Sequence, residues 1–114
     1  MKIKIGTRKS KLALAQTEMF IEKLDEKIPN VQPQIVHIST TGDKVLNKPL
    51  AALGGKGVFI AELEQALLNG EIDVAVHSAK DLPLCLADGL GITAVLERGD
   101  YRDVLVTRNN DCII

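Results

Sequence analysis

The chain has 114 residues, the length of a single domain that buries one hydrophobic core. Hydrophobic residues make up 46% of it and charged residues 25%, which argues against a disordered or collagen-like protein. A net charge of −1 and an aromatic content of only 3% argue against a nucleic-acid-binding protein, because such proteins need basic residues and often aromatic stacking platforms.

The first half of the chain alternates predicted strands and helices. Residues 2–6 alternate like a short strand, and Ser10 is placed to cap the helix that follows. One face of this helix carries an apolar stripe at helical spacing, formed by Ala13, Thr17, Phe20, Ile21, Leu24 and Ile28. Pro29 and Asn30 end the helix, the β-branched run 35–38 predicts a second strand, and a long loop rich in turn residues follows.

The second half of the chain predicts another helix and three more strands. The helical period returns from Val58, with Gly70 where a C-terminal cap belongs, and residues 72–77 form the third strand. The apolar runs 92–96 and 104–106 predict the fourth and fifth strands. This order is that of an α/β domain with a mainly parallel, mixed sheet and helices on both faces.

Three polar loops lie where α/β proteins bind ligands, near strand ends and helix starts. The first contains Arg8 and Ser10, the second is Gly54-Gly55-Lys56-Gly57, and the third is Ser78-Ala79-Lys80-Asp81. The glycine loop matches neither a Walker A motif nor a dinucleotide-binding fingerprint. Two interpretations of it therefore stay open, a flexible turn and an anion site made by Lys56 and backbone amides.

The third loop places a hydroxyl, an ammonium and a carboxylate directly after an apolar strand. Lys80 can pair with a ligand carboxylate, and Asp81 can stabilise a cation or transfer a proton. A solvated surface pair is the alternative interpretation of these two residues. Gln16 lies beside the apolar stripe of the first helix and is expected to face the same crevice.

The remaining polar and sulfur residues predict no metal or membrane site. His37 and His77 have no second ligand at metal-binding spacing, and Cys85 and Cys112 are too far apart for a CxxC motif. Cys85, between leucines, is expected in the core, and His77 is interpreted as a packed or capping histidine. No apolar run is long enough for a membrane span or a signal peptide, so we expect a cytoplasmic protein with reduced cysteines.

Five motifs, taken together and in this order, resemble the porphobilinogen deaminase (hydroxymethylbilane synthase) family. They are residues 5–16, Thr41-Gly42-Asp43, Gly54-Gly55-Lys56-Gly57-Val58-Phe59, Glu62-Leu63-Glu64 and residues 76–83. The resemblance implies a cytoplasmic transferase of tetrapyrrole, porphyrin and heme biosynthesis. Such an enzyme joins four molecules of porphobilinogen into the linear tetrapyrrole hydroxymethylbilane and releases ammonia.

The resemblance also implies an architecture. Residues 1–99 are expected to form a first domain with the fold of type II periplasmic binding proteins, which is incomplete in this chain. Residues 100–114 are expected to cross into a second domain and to form its first strand. The substrate site of the family lies in the cleft between domains.

The resemblance assigns Asp81 as the catalytic carboxylate, because a nearby carboxylate stabilises the positive charge that develops as ammonia leaves. It assigns Ser78, Lys80 and Lys56, together with Asp81, to contacts with dipyrromethane, the cofactor that the family carries covalently. Neither Cys85 nor Cys112 matches the context of the family's cofactor-bearing cysteine, so the attachment cysteine is absent from this chain.

The resemblance assigns Arg8, Ser10 and Gln16 to the substrate position. Each pyrrole of the substrate carries an acetate and a propionate group, so a growing chain accumulates carboxylates that need cationic and N–H partners. Residues 1–11 supply five basic side chains and no acidic one: Lys2, Lys4, Arg8, Lys9 and Lys11.

Members of the family are longer and have several domains. We therefore expect this chain alone to be inactive, and the full-length enzyme to be a monomer that binds neither nucleic acid nor membrane. Exposed strand edges predict self-association of the chain through residues 103–114. The main alternative function is a non-enzymatic module of the same fold that binds a small anion, and a third is a structural or regulatory role.

Overall fold

The computed structural model describes residues 1–44, 59–99 and 102. Its elements in chain order are β1 (Lys2–Thr7), α1 (Lys11–Lys27), β2 (Gln32–His37), the one-turn helix α2 (Thr41–Lys44), α3 (Ala61–Leu68), β3 (Val74–Ala75) and a 3₁₀ turn (Ala79–Asp81). The predicted fifth strand at 104–106, the glycine loop 54–57 and the expected domain boundary at residue 100 lie outside the described residues.

The three strands form one parallel sheet in the order β2-β1-β3. Ile5 of the central strand pairs with Ile35 on one side and with Val74 on the other. The third strand is shorter than the predicted 72–77, although the Val76 N–H still donates to the Gly6 carbonyl at 3.2 Å. The α/β class and the parallel pairing are confirmed, and the connections β1–β2 and β2–β3 each contain a helix, as is usual between parallel strands.

The helices α1 and α3 pack on opposite faces of the sheet. The Thr17 hydroxyl of α1 donates to the Thr7 hydroxyl at 2.9 Å, whereas a Cβ placed on Gly6 would meet Ile72 and lie 3.1 Å from Leu63 of α3. Adjacent residues of a strand point to opposite faces, so Gly6 and Thr7 assign one helix to each face. The prediction of helices on both faces is therefore confirmed for the described elements.

Both predicted helix caps are confirmed. The Ser10 hydroxyl accepts a hydrogen bond of 3.3 Å from the Ala13 N–H, which satisfies a donor that the first helical turn leaves free. Gly70, two residues beyond the end of α3, has a φ of +72°, a conformation that glycine adopts without steric cost. These caps fix where the loops before and after the helices begin.

The core is centred on α3 and the sheet. Leu63, Ala66 and Ile72 are fully or almost fully buried and form one cluster, with Val36 and Ile38 packed against it. The stripe on α1 is less covered than predicted, because Thr17 is the buried residue of that helix and Ile28 is 49% exposed. No helix of the described residues is both long and apolar enough to cross a membrane.

The prediction of a fourth strand at 92–96 is wrong. The described residues 90–99 form no regular secondary structure, and Ile92 and Val95 are 62% and 87% exposed. A β-branched run becomes a strand only where another strand offers hydrogen bonds, and neither edge of the described sheet is paired with this segment. Cys85, which was expected in the core, is exposed as well.

Candidate active site

One pocket of about 230 Å³ lies at the carboxyl ends of β1 and β3. It is bordered by the start of α1, by Phe59 two residues before α3, and by the 3₁₀ turn, which matches the usual ligand position in α/β sheets. The pocket brings together six of the seven predicted site residues: Arg8, Ser10, Gln16, Ser78, Lys80 and Asp81. The seventh, Lys56, lies outside the described residues.

Arg8 is held from two directions. Its Nη2 lies 2.6 Å from Asp43 Oδ1, and its Nε lies 3.1 and 3.2 Å from the two carboxylate oxygens of the same residue. The guanidinium carbon also lies 4.0 Å from the centre of the Phe59 ring, a cation–π contact. The side chain therefore has a fixed plane and a fixed orientation.

The third nitrogen of the guanidinium faces the predicted catalytic carboxylate. Arg8 Nη1 lies 4.0 Å from Asp81 Oδ2, which is within ion-pair range but beyond hydrogen-bond distance. Both side chains are largely covered, each with 18% of its surface exposed. The two opposite charges thus stabilise each other, while Arg8 Nη1 and the Asp81 carboxylate stay available to a ligand.

The loop that carries Asp81 is tied back to α1. The Ser78 hydroxyl donates a hydrogen bond of 2.9 Å to Gln16 Oε1, and the Asp81 N–H donates to the Ser78 carbonyl at 3.0 Å. These two bonds close the 3₁₀ turn and set its distance from the helix. Lys80 also lines the pocket and is exposed to solvent.

The surroundings of Asp43 and His77 shift their pKa values downward. Burial opposes ionisation of Asp43, but hydrogen bonds from Arg8 and Thr40 outweigh it and hold the pKa of this carboxyl below its ordinary value. Burial also lowers the pKa of His77, and the Arg8 charge lowers it further, while the Asp81 charge acts in the opposite direction. Near neutral pH, Asp43 is a carboxylate and His77 is a neutral imidazole.

Two residues of this site were given no role by the sequence analysis. Asp43 and Phe59 stand in the quoted motifs, but their partner Arg8 is 35 or more positions away, and no local pattern connects them. A signal for the Arg8–Asp43 pair was nevertheless present in the sequence. A basic loop and an acidic turn both follow predicted parallel strands, whose carboxyl ends lie at one edge of the sheet. Among the described residues, no group of three or more His, Cys, Asp or Glu residues is arranged to hold a metal ion.

The pocket is suited to a ligand that carries carboxylates and develops positive charge. Arg8 and Lys80 supply cations, Ser10 supplies a hydroxyl at the start of α1, and Asp81 is the one acid among the described lining residues. Cationic and hydroxyl donors bind carboxylates, whereas a single carboxylate can stabilise a nearby cation.

Comparison with known proteins agrees with this chemistry. Residues 3–113 match the family described as "Porphobilinogen deaminase, dipyromethane cofactor binding domain". Curated relatives named porphobilinogen deaminase include that of Rickettsia bellii, 56% identical over 91% of this chain and 35% of the relative. The Bacillus subtilis relative is 50% identical over 94% of this chain and 34% of its own length. The Acetivibrio thermocellus relative is 47% identical over 93% of this chain and 36% of its own length. The chain thus spans about a third of the length of these relatives.

Proposed function

The chain belongs to the porphobilinogen deaminase family, and we propose that its pocket is one side of the cleft in which porphobilinogen units are joined. The observation that carries the proposal is the placement of Arg8 Nη1 4.0 Å from Asp81 Oδ2 in one pocket with the other predicted site residues. The expected anion-binding and cation-stabilising groups are therefore neighbours. Nothing in the comparisons supports the alternative of a non-enzymatic anion-binding module.

In the proposed reaction, each addition releases ammonia and forms one carbon–carbon bond. The bond between the methylene carbon and the protonated amine nitrogen of porphobilinogen breaks, and the electron pair leaves with the nitrogen as ammonia. The methylene carbon then bonds to a pyrrole ring carbon, which gives up its proton. Asp81 stabilises the positive charge between these events and can accept the ring proton, since it is the acid that lines the described pocket.

The cationic side of the pocket binds the carboxylates of the substrate. Arg8 and Ser10 lie at the start of α1, where N–H groups and the helix dipole also favour negative charge. Gln16 holds Ser78 through its amide oxygen, so its amide nitrogen stays available to the ligand. These contacts orient the pyrrole so that its aminomethyl group approaches Asp81.

The same donor set fits the dipyrromethane cofactor of the family. This group carries carboxylates, and the pocket combines Lys80, Ser78 and Arg8 as donors to them. We propose that Ser78, Lys80 and Asp81 contact it, with Lys56 as a further contact from the glycine loop. When bound, dipyrromethane supplies the pyrrole end to which substrate units are added.

The proposal extends to the architecture around the pocket. We propose that residues 1–99 belong to a domain of the type II periplasmic-binding-protein fold and that 100–114 lead into a second domain. The parallel order β2-β1-β3, with one helix on each face, supports this assignment. We further propose a cytoplasmic location and a monomeric full-length enzyme.

A hybrid enzyme tests the function. In the hybrid, residues 1–114 of this chain replace the matched third of the Bacillus subtilis relative. We expect the hybrid to consume porphobilinogen and release ammonia, and Asp81→Asn to lower kcat by about 100-fold or more, as loss of one charge-stabilising group does. The chain by itself is expected to show no turnover.

The matched control is Asp73→Asn, because Asp73 Oδ2 accepts a hydrogen bond of 2.8 Å from the Lys4 N–H and does not line the pocket. This variant should keep the activity of the hybrid. Full activity of the Asp81→Asn hybrid would reject the catalytic assignment. A hybrid that melts cooperatively but has no turnover would reject the proposal that this chain supplies a functional side of the cleft.

A further inference from the structure

We propose that Asp43 is a positioning residue, which fixes the Arg8 guanidinium so that Nη1 is the nitrogen offered to the ligand beside Asp81. The identity of that ligand rests on the proposed function. The orientation of Arg8 rests on the structure alone.

The distribution of the guanidinium donors supports the role. The group has five N–H donors in a rigid planar fork, and Asp43 binds the edge formed by Nε and Nη2. Nη1 is left at the opposite corner, 4.0 Å from Asp81 Oδ2. If Asp43 were absent, the Nη2 edge could turn toward Asp81, and the two charges would form a closed ion pair in place of a ligand site.

Asp43 is itself held in place. Its Oδ2 accepts a hydrogen bond of 2.7 Å from the Thr40 hydroxyl and one of 3.3 Å from the Thr40 N–H. Thr40 is fully buried, so this anchor is part of the packed interior. Asp43 does not line the pocket, and its side chain contacts the lining residue Arg8 directly.

A purely structural role of Asp43 is the competing explanation, because its bonds to Thr40 also close the turn at the start of α2. Two variants separate the explanations. Asp43→Asn keeps an oxygen acceptor for Thr40 but loses the charge and the paired contact with Arg8. Thr40→Val removes the hydroxyl that supports the turn but leaves the Asp43 carboxylate in place.

The first experiment measures the solvent exchange and side-chain rotation of the Arg8 Nε–H by ¹⁵N NMR in the 114-residue chain. We expect Asp43→Asn to accelerate exchange about tenfold, the factor that corresponds to loss of one hydrogen bond to a charged group. Thr40→Val should change it by less than about threefold, since the carboxylate stays near Arg8. The remote variant Asp73→Asn should leave it unchanged. Equal exchange in Asp43→Asn and the unchanged chain overturns the proposal.

The second experiment measures the affinity of the chain for porphobilinogen by isothermal titration, with Arg8→Gln as the second variant of a double-mutant cycle. Asp43→Asn should weaken binding about tenfold when Arg8 is present and should have no further effect when Arg8 is already replaced. Equal weakening in both backgrounds overturns action through Arg8. If the unchanged chain does not bind porphobilinogen, the proposed ligand is rejected, while the exchange measurement still decides the positioning role.

The substitution Asp43→Glu keeps the proposal testable if Asp43→Asn does not fold. Glutamate retains the charge but moves the carboxylate outward by one methylene. Faster exchange of the Arg8 Nε–H in a cooperatively folded Asp43→Glu chain supports the positioning role, and unchanged exchange contradicts it.

Discussion

The Ser78 hydroxyl donates a hydrogen bond of 2.9 Å to Gln16 Oε1, and this bond joins residues 62 positions apart in the chain. It connects the loop after β3 directly to the first helix, and both residues line the pocket. A side-chain contact between neutral groups therefore helps to hold the Asp81 turn beside α1.

We predict that this contact is energetically coupled. Gln16→Ala and Ser78→Ala should each lower the free energy of unfolding, and a double-mutant cycle in urea should give a coupling of about 1 kcal/mol, typical of a partly buried hydrogen bond. The exposed pair Gln65 and Asn69, joined at 2.9 Å on α3, is the matched control. Its coupling should stay at about 0.2–0.5 kcal/mol. Additive effects of the Gln16 and Ser78 substitutions would contradict the prediction.

We predict that His77 titrates below its ordinary pKa of 6.5, because burial disfavours the charged imidazolium. The charges of Asp81 and Arg8 shift the pKa of His77 in opposite directions, which NMR titration of variants can check. Asp81→Asn removes an effect that raises the pKa of His77 and should lower it further, whereas Arg8→Gln should raise it. Shifts of the same sign in both variants would be inconsistent with the geometry of the site.

The same pKa shift links His77 to stability. Between the lowered folded pKa and the unfolded value of 6.5, the unfolded chain binds more protons than the folded chain. The contribution of His77 is therefore fully present above pH 6.5 and is lost as the pH falls toward the folded pKa. Urea unfolding over this range should show the slope, and His77→Gln should reduce it.

We predict that Gly6→Ala destabilises the fold by about 1–3 kcal/mol, the usual cost of overpacking a core. The new methyl group would meet the Ile72 side chain and lie 3.1 Å from Leu63, and both of these residues are buried. Gly91→Ala is the control, since nothing lies within 4 Å of a Cβ at that position. Urea midpoints that shift equally for both variants would show that Gly6 is not in close contact.

We predict that the chain self-associates with increasing concentration. Among the described residues, the outer edge of β3 has no pairing partner, and Leu84, Ile92 and Val95 are exposed. Unpaired edges and apolar side chains favour association. Sedimentation velocity should show a concentration-dependent increase in mass, and removal of residues 103–114 should reduce it. A monomer at all concentrations would refute the prediction.

The features that the sequence predicted correctly are those set by interactions between neighbouring residues. The Ser10 cap, the Gly70 C-terminus and the alternation of β1 each depend on a few neighbouring residues. The sequence analysis selected Ser78 and Asp81 because their residue types suit the expected chemistry and because their motif resembles a known family. The structure then placed them beside Arg8 in one pocket.

The errors of the sequence analysis arise from long-range pairing. The run 92–96 has strand-forming residues, but strand formation requires a partner that local composition does not reveal. Asp43 was missed for the same reason, since its contacts with Arg8 exist only after β1 and β2 align in parallel. Cys85 lies between leucines, yet the segment around it has no face of the described core to cover it.

Gly6 and Thr7 point to opposite faces of the sheet. The register of β1 therefore determines the geometry of the pocket. Thr7 binds α1, Gly6 admits Ile72 on the other face, and Arg8 follows at the strand end. Because side chains alternate with a period of two residues, an insertion of one residue ahead of Gly6 in β1 would exchange the two faces. The residue that precedes Gly6 would then take its position against Leu63 and Ile72, and Arg8 would be displaced from its place beside Asp81. The length of the central strand is therefore more tightly constrained by the pocket than the length of a surface loop.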